Sequence, residues 1–161
     1  MFREETKMLC TVSDEGVFTV NSELYILDKR NAVMQFIIDT GASITCCRAK
    51  ELGVNLSEAD FIANKSNTRY MNGVLKEGDN NKKDADKYSI KFYEVKLKRF
   101  KIGTSIIMEN VSVWVTYDKR FYACLLGQDL LEQLYYIHLK NVNKLFISDN
   151  EIDMKQYMDS V

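Results

Sequence analysis

The chain has 161 residues, enough to close one hydrophobic core but short for a two-lobed enzyme, so a site that needs two lobes has to draw on two chains. Its 22 basic and 23 acidic residues nearly cancel to a net charge of -1, and neither sign gathers into a long block, which argues against nucleic acid or an anionic membrane surface as a partner. Four cysteines (Cys10, Cys46, Cys47, Cys124) and a single histidine, His138, offer no zinc-type spacing, so they read as reduced thiols of a cytoplasmic protein with no metal and no cofactor.

The opening Met1-Phe2-Arg3-Glu4-Glu5-Thr6-Lys7 is charged where a secretory peptide carries its apolar core, and no apolar run reaches bilayer-spanning length. A soluble protein is expected. From Met8 to Asp39, short alternating stretches (Val17–Val20, Leu24–Leu27, Val33–Ile38) are separated by polar groups such as Asp28-Lys29-Arg30-Asn31, the pattern of strands joined by tight turns. Between Arg48 and Ala59 one or two helical turns fit, limited by Gly53 and Asn55. Residues 76–87 contain almost nothing to bury and read as an exposed loop.

Period-two alternation returns from Tyr88 to Ile102, then in Ile106–Met108 and Val111–Val115, with turns expected at Gly103-Thr104-Ser105 and at Glu109-Asn110. A helical spacing of Leu130, Leu131 and Leu134 predicts one short helix over 129–136, capped by Gln128 or Asp129, before a hairpin through Ile137–Leu139 and Lys144–Ile147. One domain over residues 1–148 and a polar tail over 149–161 follow.

Two short segments stand out. Phe36-Ile37-Ile38 runs into Asp39-Thr40-Gly41-Ala42-Ser43, so a buried strand ends by presenting a carboxylate on a turn of small residues, where Gly41 lets the backbone bend and be approached closely. Far downstream, Cys124-Leu125-Leu126-Gly127-Gln128-Asp129-Leu130-Leu131 runs a second apolar strand through a glycine into the predicted helix. Taken as a pair, these segments resemble the retropepsin family of retroviral and retroviral-like aspartic proteases, and the resemblance covers roughly residues 8–147.

The resemblance implies an all-β fold, a closed retropepsin-like (acid protease) β-barrel with one short C-terminal helix. It implies that Asp39, Thr40 and Gly41 form the catalytic turn, with Thr40 linking the two turns of a dimer. Leu125, Leu126, Gly127 and Asp129 would support the turn through a psi-shaped crossing. Ala42, Ser43 and Gly73 would contact the substrate, Gly73 from a hairpin flap within about Ser66–Val95. Because the chain has one Asp-Thr-Gly, the second aspartate is expected from a two-fold related copy, with an extended peptide or protein substrate lying between the two. No cofactor or metal is implied.

This chain has Ser43 and Gln128 where viral members of the family commonly carry an aspartate and an arginine that pair and support the dimer. Asp129 instead matches the Gly-x-Asp-x-Leu form of cellular and bacterial retropepsin-like domains, with a phage-borne copy also fitting. The Ile137–Ile147 hairpin or the tail is the candidate dimer strand. A serine nucleophile at Ser43 lacks a suitable histidine, and adjacent Cys46 and Cys47 bond poorly with each other. A retropepsin fold that grips peptides without turnover is the competing reading, and a protease domain active only inside a larger assembly is a third.

Overall fold

The computed structural model describes residues 7–12, 17–53, 55–72, 89–139 and 144–151. The elements run β1 (Lys7–Val12), β2 (Phe18–Tyr25), β3 (Ala32–Ile38), β4 (Cys46–Arg48), α1 (Ala49–Leu52), α2 (Glu58–Ala63), β5 (Thr68–Asn72) and β6 (Ser89–Ile102). They continue with β7 (Ile106–Thr116), β8 (Leu125–Leu126), α3 (Gln128–Leu131), β9 (Tyr135–Leu139) and β10 (Lys144–Ser148). All the described strands belong to one sheet, ordered β5-β6-β7-β4-β8-β3-β2-β1-β10-β9. β6 pairs a second time, with β2, so the pairings β2-β3-β8-β4-β7-β6 return to their starting strand.

That return depends on a switch within the β6–β7 hairpin. On its first stretch the hairpin packs Val95 and Leu97 of β6 and Val111, Val113 and Val115 of β7 into the main core, all odd-numbered. On its second stretch the core residues are Phe100, Ile102, Ile106 and Met108, all even-numbered. Strict alternation would send one of these sets to solvent. The ladder skips the pair between Leu97↔Val111 and Arg99↔Glu109, and Asn110 sits there with φ 55°, a left-handed conformation that asparagine tolerates better than most residues. The expected turn at Glu109-Asn110 is therefore a kink inside one continuous strand. Beyond it, β6 is turned toward β2, where Phe100 pairs with Leu24 and Ile102 with Ser22.

The helices are short and three in number among the described residues: α1 and α2 lie in and beside the 48–59 stretch where one or two helical turns were expected, and α3 is the expected C-terminal helix. α1 follows β4 directly and stops at Gly53, whose φ of 71° closes the helix end as its N–H donates to Lys50 O. α2 begins with a capping box in which Ser57 and Asp60 each accept from the other's backbone N–H. α3 ends at Leu131, earlier than expected, because Tyr135 and Tyr136 pair with Ser148 and Ile147 of β10 and so join a strand. The expected C-terminal hairpin is β9–β10, and it places β9 at the outer edge of the sheet. No helix among the described residues is long and apolar enough to cross a membrane.

Of the expected flap, the root is described: β5 and the start of β6 pair antiparallel from Thr68↔Tyr93 to Asn72↔Ser89. Gly73 and the polar 76–87 segment lie outside the described residues, as does most of the 149–161 tail.

Candidate active site

β8 is only two residues long, yet it lies between β3 and β4, parallel to the first through Ile37↔Leu125 and Ile38↔Leu126 and antiparallel to the second through Cys46↔Leu125. The chain from Asp39 to Thr45 therefore has to loop around the end of β8. Asp39 N–H donates to Leu126 O at 3.0 Å, extending the β3–β8 ladder by one bond and fixing the backbone that carries the carboxylate.

Beyond that bond the turn is held from two sides. Locally, Gly41 N–H donates to Asp39 Oδ1 at 2.9 Å and Ala42 N–H to Asp39 O at 3.2 Å. From below, the backbone N–H groups of Gln128 and Asp129 donate to the carbonyls of Ala42 (2.8 Å) and Ser43 (3.3 Å), and Gln128 Nε2 donates to Thr40 O at 3.0 Å. Gly127 is needed for space: its backbone is extended, and a Cβ there would meet Ile44 O, Ile44 C at 2.5 Å and Ala42 O at 2.9 Å.

Thr45 is the residue that sequence reasoning missed. It is fully buried, and its hydroxyl donates to Asp129 Oδ1 at 2.7 Å while accepting from Gly127 N–H at 3.1 Å. Its own N–H donates to Asp129 Oδ2 at 3.1 Å, and Leu130 N–H donates to Asp129 Oδ1 at 2.8 Å. Asp129 thus anchors the start of α3 to the far end of the Asp39 turn, which leaves its carboxylate committed to structure. In the sequence Thr45 lies within Ile44-Thr45-Cys46, where a β-branched residue reads as ordinary strand.

Asp39 itself is half-exposed, Thr40, Gly41 and Ser43 are exposed, and Ala42 is buried beneath them. Asp39 lies two residues beyond Ile37, on the sheet face that Ile37 shares with its partner Leu125 and with Cys46 and Trp114 along the same row of pairs. Burial pushes the Cys46 thiol up to about 12, with the charges of Asp129 and Asp39 adding to the effect. Burial likewise raises Cys47 well above its usual range and Cys124 to about 11. All three stay protonated at neutral pH and are poor nucleophiles.

No protein-family model matches the chain, and no curated protein matches it by sequence. The structure resembles that of a retropepsin-like aspartic protease from Rickettsia conorii, with a TM-score of 0.55 over 91% of this chain and 96% of that one, at 21% sequence identity. The fold is retropepsin-like. Within that retropepsin-like fold, the predicted motif residues meet: Asp39, Thr40, Gly41, Ala42 and Ser43 on the turn, and Leu125, Leu126, Gly127 and Asp129 crossing beneath it.

Proposed function

We propose that the chain is an aspartic endopeptidase that acts as a homodimer, with Asp39 of each copy supplying half of the catalytic pair. The observation that carries this reading is the placement of Asp39. It is a half-exposed carboxylate at the end of a core strand, on an exposed turn whose backbone is braced from below by Gly127, Gln128 and Asp129. The chain has one such turn, so the second aspartate comes from a second copy related by a two-fold axis that passes between the two turns. Among the described residues β9 is the outer strand of the sheet, and its open edge offers backbone groups for joining the two copies.

Two carboxylates held about 3 Å apart cannot both ionise, so they share one proton. The ionised member takes a proton from a bound water as that water attacks the peptide carbonyl. The protonated member donates to the carbonyl oxygen, and the proton gained from water then goes to the departing amine. The substrate lies extended across the two turns, its backbone pairing with strand edges and its alternate side chains entering pockets, partly under the β5–β6 hairpin.

Incubation with a diverse peptide library from acidic to neutral pH tests the proposal. Wild type is expected to produce cleavage products that Asp39→Ala does not and that a pepstatin-like inhibitor suppresses. Identical peptide patterns from wild type and mutant overturn it.

A further inference from the structure

The sheet face on which Asp39 stands carries an apolar cluster separate from the main core: Ile44, Cys46, Ile90, Phe92 and Trp114 are buried in it. Phe121 and Leu125 pack at its border, half-buried, with Phe121 edge-on to Phe92 at 5.2 Å between ring centroids. Leu125 is paired with both Ile37 and Cys46, which places it beside the strand that ends in Asp39.

Two guanidinium groups share this face. Arg69 of β5 pairs with Phe92, and its guanidinium carbon lies 4.8 Å from the centroid of the Trp114 ring. Arg48, two residues past Cys46, has a buried Nε with no hydrogen-bond partner among the described residues. Neither forms a salt bridge among the described residues. Glu94 shares the face as the partner of Trp114, but its Oε1 accepts from Asn67 at 2.8 Å and its Oε2 from Ser112 at 2.7 Å. Those two hydrogen bonds hold the pKa of that carboxylate below its ordinary value, with smaller through-space contributions from Lys96 and Arg69. A guanidinium laid over an indole keeps its N–H edge outward, in the planar fork that receives a carboxylate.

We propose that Arg69 is a specificity-determining residue: an extended peptide bearing an apolar side chain against Leu125 and Phe121 places an acidic side chain on Arg69 over Trp114. The occupant is taken from the peptidase reading above, and charge complementarity selects it. The face presents Arg48 and Arg69, which form no salt bridge among the described residues, around an apolar floor, so an acidic-apolar peptide satisfies both. Leu125 and Trp114 are two strand spacings apart, roughly 10 Å, which an extended peptide covers in about three residues.

The test uses the full chain carrying Asp39→Asn, in which Trp114, the only tryptophan, reports occupancy by its emission. The probes are acetylated decapeptides without Trp or Tyr, carrying a central Leu-Leu and a Glu at each position within about three residues of it, each matched by a Gln version. At low salt the best Glu peptide is expected to bind at least about tenfold more tightly than its Gln match. Adding Arg69→Gln removes the preference, and Arg69→Lys restores part of it. Equal binding of matched peptides, a preference that survives Arg69→Gln, or no binding of either series overturns the inference. Binding is read without turnover, so charge preference without cleavage by wild type removes the peptidase reading alone. Cleavage without charge preference removes this one alone.

Discussion

The two loops that meet at the Asp39 turn each contain a glycine, and the two glycines do different work. Gly127 is buried beneath the turn, where a Cβ would run into the backbone of Ile44 and Ala42. Gly41 is exposed on top, where a Cβ would meet only the Asp39 Oδ1, at 3.3 Å. The lower loop is set by packing and by the bonds that converge on Asp129 and Thr45. The upper loop is shaped so that one carboxylate stays reachable. Close packing lies below and an accessible carboxylate above, an arrangement that suits the catalytic role proposed for Asp39.

Substitutions in the two loops sharpen the contrast. Gly127→Ala carries the largest expected effect: the backbone has to move or the β8 crossing has to open, at a cost of at least about 3 kcal/mol in denaturant unfolding. A variant as stable as wild type breaks the claim that this crossing is close-packed. Asp129→Ala comes next, at about 2–4 kcal/mol, because the N–H and hydroxyl of Thr45 and the N–H of Leu130 lose their common acceptor. Gly41→Ala reverses the readout. Its stability should change by less than about 1 kcal/mol, while displacement of the Asp39 carboxylate lowers kcat by roughly tenfold or more, measured on a peptide that wild type cleaves.

The smallest effect expected is one of pH. Hydrogen bonds from Ser112 and Asn67 hold the Glu94 carboxyl below its ordinary 4.5. A carboxyl whose pKa is lower folded than unfolded stabilises the fold above the unfolded value and gives that stability up as pH falls through the folded one. Glu94→Gln should therefore flatten the acid side of the stability curve below pH about 4.5, as followed by thermal unfolding between acidic and neutral pH. An unchanged slope shows that Glu94 contributes nothing to acid sensitivity.

Much of this was legible in the sequence because the relevant signals are local. Apolar alternation marked β2, β3, β6, β7, β9 and β10 but not β4 or β5, and Phe36-Ile37-Ile38 leading into Asp39 marked where a strand releases a carboxylate. Gly53 marked the end of a helix that the residues around it left short. What was not legible arises from pairing at a distance. The left-handed Asn110 resembles a turn in sequence, and only the shared change of face in β6 and β7 identifies it as a kink within a strand. Tyr135 and Tyr136 follow a helical leucine spacing, but β10 draws them into a strand. Thr45 gave no signal, since a buried hydroxyl that bonds a carboxylate 84 positions away looks like any strand threonine. The stacking of Arg69 on Trp114 is likewise a product of register rather than of spacing along the chain.

The proposed shared active site is tested most directly by mixing wild type with Asp39→Asn at fixed total concentration, after unfolding and refolding them together, and following cleavage of one peptide. If each active site needs Asp39 from both copies, activity falls as the square of the wild-type fraction. Activity that falls in direct proportion to that fraction, or pure wild type that cleaves nothing, contradicts the account.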